Sequence, residues 1–179
     1  MGDLLVFVDV FELRELDMVP GKDGKKVKSK KFDKVSRLLA QSESYDTEVI
    51  LDFNSQILPL YEGEKFELAL SRSLYRDRDH QGELEATGDV AYFTPKEGDS
   101  HLDDYDYVMH GKIFKYAAEN GKAIVYISYG GLLMALKGEP RTLRSNTFKV
   151  GDNLYLLLKK FSTQSALQGS EGEQPQRAR

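Results

Sequence analysis

The feature that most constrains the fold of this chain is an alternation of apolar and polar residues with a period of two. Phe66, Leu68 and Leu70 alternate with Lys65 and Glu67, and similar runs recur along most of the sequence. Helical periodicity is nearly absent. Because successive side chains of a strand point to opposite faces of a sheet, the pattern predicts an all-β fold in which each strand buries one face.

The alternating runs predict eight strands. They cover residues 4–14, 33–44, 46–54, 64–74, 105–117, 122–129, 131–137 and 152–161. Asn120-Gly121 separates two of these runs and predicts a type I′ hairpin, since both residues tolerate positive φ. Short antiparallel strands with one buried face either stack as a sandwich or close as a barrel.

Two adjacent glycines, Gly130 and Gly131, interrupt a run that otherwise has the pattern of a buried strand. Glycine in such a run marks a bulge, a sharp bend, or a place where another backbone or a ligand comes close. The pair either bends a strand around the corner of a small barrel or admits a partner, and the two interpretations are compatible. The bend favours a barrel over a sandwich.

The length of 179 residues fits one domain, which we expect to cover residues 1–161. Three segments stand outside the strand pattern: a lysine-rich loop at 20–31, a long polar loop at 76–104 that is disordered or extended, and a flexible tail at 162–179. Residues 62–68 weakly resemble residues 150–156. This echo indicates either two related halves or two independent hairpin entries with ordinary turn chemistry.

Composition argues against several kinds of site. The chain has no cysteine and three scattered histidines, so we expect no disulfide, no structural zinc and no cofactor. Asp103, Asp104 and Asp106 form a carboxylate cluster without the loop that a calcium site needs, and solvation is the expected role. We find no Ser/His/Asp grouping and therefore expect no catalytic residues and no intrinsic enzymatic activity. No apolar run reaches the roughly 20 residues of a spanning helix, so we expect no membrane segment.

Nucleic-acid binding has two candidate groups of residues. The first is the lysine-rich loop, which is either a solvated surface, a targeting signal or an arm that contacts phosphate. Its lysines are Lys22, Lys25, Lys26, Lys28, Lys30 and Lys31. The second is a set of aromatic residues for base stacking, Tyr105, Tyr107, Tyr126 and Tyr129, for which core packing is the competing interpretation. The net charge of −4 gives no overall attraction to phosphate, so direct nucleic-acid contact is expected to be weak or absent.

Five segments of the chain carry a family resemblance. They are KKFDKVSRL (30–38), SESYDTEVILDFN (42–54), DYVMHGKIF (106–114), YISYGGLLMALKG (126–138) and NLYLLLKK (153–160). Together, and in order, they resemble the small eighth subunit common to eukaryotic nuclear RNA polymerases I, II and III. The most specific parts are YGGLLM and YVMHG, and the resemblance spans nearly the whole of the predicted folded region.

The resemblance implies an eight-stranded antiparallel barrel of the OB type, built as two related halves with a long Ω-like loop between them. It also implies a non-catalytic subunit that acts in transcription in the nucleus, including the nucleolus. Such a subunit docks on the funnel and pore region of the largest polymerase subunit, contacts other polymerase subunits and supports assembly of the complex. The matching motifs give the expected partner-binding residues: Tyr129, Gly130, Gly131, Leu132, Leu133 and Met134, with Tyr107, Val108 and Met109 as secondary candidates.

The chain departs from the family pattern in three places. The lysine-rich insertion and the tail are longer than the usual form, and the loop at 76–104 shares little beyond its last residues. An alternative function stays open, a free-standing OB-fold protein that binds single-stranded nucleic acid through Tyr105, Tyr107 and the lysines of the insertion. Its affinity would fall steeply with salt.

Overall fold

The computed structural model describes residues 4–29, 32–44, 46–75 and 100–161. The strands in this part of the chain are β1 (Leu5–Leu16), β2 (Met18–Pro20), β3 (Lys26–Lys28), β4 (Val35–Ser42), β5 (Glu48–Asn54), β6 (Lys65–Ser71), β7 (Tyr107–Glu119), β8 (Lys122–Tyr129), β9 (Leu132–Gly138) and β10 (Asn153–Lys160). A 3-10 helix covers His101–Asp104.

Eight of these strands form a closed antiparallel barrel in the order β1-β4-β5-β9-β8-β7-β10-β6. The predicted all-β, eight-stranded barrel is confirmed, and each predicted strand matches one barrel strand. Asn120 and Gly121 have φ of 52° and 77°, so the predicted hairpin turn between β7 and β8 is confirmed as well. The lysine-rich insertion is not the simple loop that we expected, because β2 and β3 pair there as a separate two-stranded sheet.

The alternating apolar residues fill the barrel interior. Phe11, Phe53, Phe66 and Phe148 are among the largest fully buried side chains. The rings of Phe11 and Phe66 stack with their centroids 6.0 Å apart across the β1–β6 pair. The interior is therefore a packed core and leaves no open channel along the described strands.

Antiparallel pairing around the whole barrel fixes which loops share an end. β1, β5, β8 and β10 finish at the end where β4, β6, β7 and β9 begin, and we call this the upper end. The upper end therefore carries the β8–β9 turn, the start of β7 and the β2–β3 sheet that follows β1.

The strand order maps onto itself when β1, β4, β5 and β6 are exchanged with β7, β8, β9 and β10. The details agree with this relation, since the β1–β4 register shifts just after Leu13 and the β7–β8 register shifts just after Ile113. The Gly63 N–H donates to the Leu13 carbonyl at 2.8 Å, and the Gly151 N–H donates to the Ile113 carbonyl at 2.8 Å. The weak sequence echo thus marks equivalent positions in two related halves.

The outer face of β6 and β10 is covered by the chain itself. Buried Ala69 and Leu157 pack with Leu74 and Tyr105, which flank the long loop, and with Leu102 near its end. Tyr75 and Ser100 form an isolated antiparallel bridge, so the chain leaves and re-enters the barrel at one point. The end of the predicted 76–104 loop is the 3-10 helix, while residues 76–99 and the tail at 162–179 lie outside the described residues.

Candidate functional site

Gly130 and Gly131 are the two central residues of the β8–β9 hairpin turn. Tyr129 pairs with Leu132 across the turn, and the glycines have φ of 61° and 102°. A two-residue hairpin loop needs positive φ, which glycine supplies without strain. The pair therefore forms the turn between two strands, at the break between the predicted strands 122–129 and 131–137, and does not bend a single strand around a corner. The sequence left only Gly130 between the predicted strands and assigned Gly131 to the second one, whereas β9 begins at Leu132.

The space beside both glycines is open. A β-carbon built at Gly130 or Gly131 would meet no atom within 4 Å. The Gly131 N–H donates to the Ser128 hydroxyl at 3.3 Å, which ties the turn to the end of β8. The hairpin tip, which we define as residues 129–133, thus presents bare backbone at the upper end of a rigid barrel.

The predicted partner-binding residues divide by burial. Tyr107, Tyr129 and Met134 have their side chains inside the barrel core, which leaves only their backbone for a partner. The remaining six are half-buried or exposed: Val108, Met109, Gly130, Gly131, Leu132 and Leu133. Leu133 is the most prominent apolar side chain among them, at 42% exposure.

Gly111 is a residue of this region that was not predicted from the sequence. It lies in β7 beside the end of β8, and a β-carbon there would lie 2.5 Å from the Ser128 carbonyl oxygen and against the Tyr129 ring. The Tyr129 hydroxyl has no hydrogen-bond partner among the described residues, and burial raises the pKa of this phenol. Gly111 therefore allows β7 and the Tyr129 ring to pack closely, and its signal in the sequence was a glycine within the YVMHG motif.

Asp52 fixes the backbone of the hairpin tip from the neighbouring strand. The β5–β9 ladder reaches Leu51 opposite Met134, and beyond it the Leu133 N–H donates to Asp52 Oδ2 at 3.2 Å. Arg37 donates to the same carboxylate from Nε at 2.6 Å and from Nη2 at 2.9 Å. This hydrogen bonding raises the pKa of Arg37. The arrangement holds Leu133 in place while its side chain faces outward.

An apolar row crosses the outer face of the barrel next to this site. Leu39 pairs with Ile50, Ile50 with Ala135, and Ala135 with Tyr126, and all four residues are half-buried. The Lys115 ammonium lies 5.1 Å from the centroid of the Tyr126 ring. Period-two alternation assigns this face to solvent, so an apolar row there was not predicted.

The aromatic candidates for nucleic-acid stacking are mostly unavailable. The Tyr107 ring is buried, and its hydroxyl accepts the Asn54 N–H at 3.1 Å. The Tyr105 hydroxyl donates to Glu67 at 2.8 Å, while the ring packs with Ala69 and Leu157 on the outer face of β6 and β10. Core packing is thus the correct interpretation for Tyr107 and Tyr129, which leaves Tyr126 half-buried on the outer face.

Four of the six lysine candidates lie in β3 or in the turn that joins β2 to β3. Lys22, Lys25, Lys26 and Lys28 are exposed there, and Lys26 pairs with Glu15 at 2.5 Å. Lys30 and Lys31 lie outside the described residues.

Metal sites and membrane-spanning helices are not found in the described ranges. Residues 4–29, 32–44, 46–75 and 100–161 contain no group of three His, Asp or Glu side chains placed to hold a metal ion. In the same ranges, no helix has the length and apolar character required to cross a bilayer. In the acidic cluster, Asp106 accepts the Lys160 N–H at 2.8 Å.

Comparison with known proteins identifies the family. The model of the family described as RNA polymerase Rpb8 matches residues 22–160. Subunit 8B of RNA polymerases II, IV and V from Arabidopsis thaliana is 37% identical over 89% of this chain and 98% of its own length. Subunit rpabc3 of RNA polymerases I, II and III is 41% identical in Dictyostelium discoideum over 87% of this chain and 97% of its own length. The Saccharomyces cerevisiae subunit RPABC3 is 34% identical with the same two coverages. The chain therefore belongs to the RNA polymerase Rpb8 family.

Proposed function

We propose that the protein is a non-catalytic subunit of DNA-directed RNA polymerase, shared by polymerases I, II and III. In this proposal it acts in the nucleus, including the nucleolus, where it docks on the funnel and pore region of the largest subunit and supports assembly. Family membership and the subunit names of the relatives support the general role. The observation that supports the docking site is the hairpin tip, where two unobstructed glycines adjoin the exposed Leu133.

The barrel restricts how a partner can dock. β8 pairs with β7 and β9, and β9 pairs with β8 and β5, so neither strand has a free edge over its paired length. Strand addition is therefore not available along the paired length of these strands. A partner must instead approach the backbone of the turn and cover the Leu133 side chain.

A non-catalytic role agrees with the packing of the barrel. Its interior is filled by apolar side chains, among them Phe11, Phe53 and Phe66. A small rigid barrel of this kind suits a subunit whose contribution is a shaped surface.

The test adds a side chain at the turn without straining it. Gly130 has φ of 61°, a conformation that Asn adopts readily, and the space around it is open. We expect Gly130→Asn to reduce co-purification of the largest polymerase subunit with the tagged protein at least about fivefold, while the isolated barrel keeps its unfolding midpoint. Leu133→Glu should have the same effect because it places a charge at the contact.

The matched control is Gly121→Asn. Gly121 has φ of 77° and open surroundings in the β7–β8 turn, at the opposite end of the barrel. This variant should co-purify the largest subunit at the wild-type level. Full co-purification by Gly130→Asn and Leu133→Glu would reject the hairpin tip as the docking site. Absence of polymerase subunits from the wild-type purification would reject the function itself.

The alternative function, a free single-strand binder, is weakened by the structure. Its main stacking residue Tyr107 lies inside the core, and Tyr105 is engaged with Glu67.

A further inference from the structure

The lysine-rich insertion is held firmly against the barrel. The chain turns out of β1 toward the insertion at Asp17, which has φ of 55°. Asp17 Oδ1 accepts the Arg37 N–H at 2.9 Å, and its carbonyl accepts the Ser29 N–H at 2.8 Å. Both ends of the β2–β3 sheet are thus tied to one residue that is bound to β4. The sheet has a defined position on the outer surface.

A cleft of about 130 Å³ lies between this sheet and the barrel. We call it the hairpin cleft, and its apolar lining is formed by Met18, Val19, Pro20, Leu38, Leu39 and Ile50. Its charged lining residues Glu15 and Lys26 pair with each other, and Arg37 pairs with Asp52. The cleft is therefore an apolar recess about as large as one aliphatic side chain.

The surface around the β2–β3 sheet is basic, although the whole chain is acidic. Lys22, Lys25 and Lys28 are exposed, and no ion pair involves them within the described residues. The net charge of the chain is −4. A ligand with negative charges on both sides of an apolar group would therefore bind best at the β2–β3 sheet.

The lining distinguishes between two acidic partners. Single-stranded nucleic acid binds through aromatic platforms on which bases stack, and the lining contains no aromatic ring. An aliphatic recess beside lysines fits Leu, Ile or Val within a run of Asp and Glu. We propose that the hairpin cleft binds an acidic extended segment of another protein, which inserts one aliphatic side chain and places its carboxylates on Lys22, Lys25 and Lys28. This interface is separate from the hairpin tip and goes beyond the proposed function.

Fluorescence anisotropy of the full-length protein tests the proposal. The probe is a labelled synthetic peptide with a central Leu-Ile pair flanked on both sides by Asp and Glu. We expect saturable binding that weakens with salt. Replacing the Leu-Ile pair of the probe by Ser-Ser should weaken binding about tenfold, because the apolar anchor is lost.

Variants locate the probe on the protein. Leu39→Glu, which puts a carboxylate in the recess, and the double variant Lys25→Glu/Lys28→Glu should each weaken binding about tenfold. Lys149→Glu/Lys159→Glu makes the same change in net charge as the lysine double variant, at two exposed lysines outside the cleft lining, and should leave binding unchanged. The lysine variants lie on the surface and keep the test valid if Leu39→Glu fails to fold.

Three results would overturn the proposal. The first is binding that persists in the lysine variants. The second is equal binding of a labelled oligothymidine that competes with the peptide, which would indicate a nucleic-acid surface. The third is binding that occurs only after truncation at Phe161, which would make residues 162–179 the occupant of the cleft. None of these results bears on co-purification with polymerase, so the two proposals fail independently.

Discussion

At the scale of single residues, the glycines of the upper end serve different purposes. Gly130 and Gly131 are needed for their positive φ, and the space around them is open. Gly111 lies in extended strand, and any side chain there would collide with the Ser128 carbonyl and the Tyr129 ring. A substitution at Gly111 therefore tests the packing of β7 against Tyr129, whereas one at Gly130 tests the exposed surface of the hairpin tip.

We expect Gly111→Ala to lower the free energy of unfolding by about 1–3 kcal/mol, the usual cost of forcing extra volume into a packed core. The β-carbon would press on backbone, which cannot move aside as a flexible side chain can. Urea unfolding of the isolated protein measures the change. Gly130→Asn should stay within about 1 kcal/mol of wild type, since Asn tolerates its φ. Equal losses in the two variants would contradict the assignment of close packing to Gly111.

The contact of His110 with Tyr155 predicts that the stability of the barrel depends on pH. The His110 ring lies 4.6 Å from the Tyr155 ring, centroid to centroid, and burial lowers the pKa of His110. Between this lowered pKa and the ordinary histidine pKa of about 6.5, the unfolded chain therefore binds more protons than the folded one, and stability falls as the pH drops through this range. We expect the loss of unfolding free energy between pH 7.5 and pH 5 to be smaller in His110→Gln than in wild type. An unchanged difference, measured by urea unfolding, would assign the pH dependence to other groups.

At the scale of elements, alternation predicted the barrel strands because each has one face in the core. It did not predict β2 and β3, since strands as short as Met18–Pro20 and Lys26–Lys28 bury no complete face. Their lysines have the composition of a solvated loop. Periodicity along one strand also gives no information about contacts between strands. The Asp52 bond to Leu133 and the packing of Gly111 could therefore be found only in the structure. The surface of the hairpin tip could be predicted only through its motif, and its turn geometry could not.

The position of the β2–β3 sheet depends on Asp17. Asp17→Gly keeps the positive φ of 55° but removes the carboxylate that accepts the Arg37 N–H. We expect amide hydrogen exchange of residues 18–28 to accelerate at least about tenfold, with the barrel amides unchanged, because the sheet keeps only the Asp17 N–H bond to the Arg37 carbonyl and loses the second bond to β4. Asp17→Asn retains an acceptor oxygen and should exchange like wild type. Accelerated exchange throughout β1 and β4 would show that Asp17 stabilises the barrel itself.

At the scale of the whole molecule, the two halves complete each other. β6, β1, β4 and β5 form one contiguous four-stranded sheet, and β9, β8, β7 and β10 form the other. The halves meet at two seams, β5–β9 and β6–β10, where every strand edge of one half pairs with the other. Alone, each sheet would expose two unpaired edges and one apolar face, so the closed barrel is the smallest unit that buries its core.

This arrangement predicts that the covalent link between the halves is dispensable once the barrel has formed. A specific protease site inserted within residues 76–99 and then cleaved should leave fragments that co-elute as one folded species. Cleavage makes unfolding bimolecular, so the urea midpoint should fall and should rise again with protein concentration. A site placed within the tail at 162–179 is the control, because its cleavage leaves both seams within one chain and the midpoint independent of concentration. Fragments that separate while each keeps its β-sheet circular dichroism would mean that each half has a core of its own, contrary to the interior that the eight strands share.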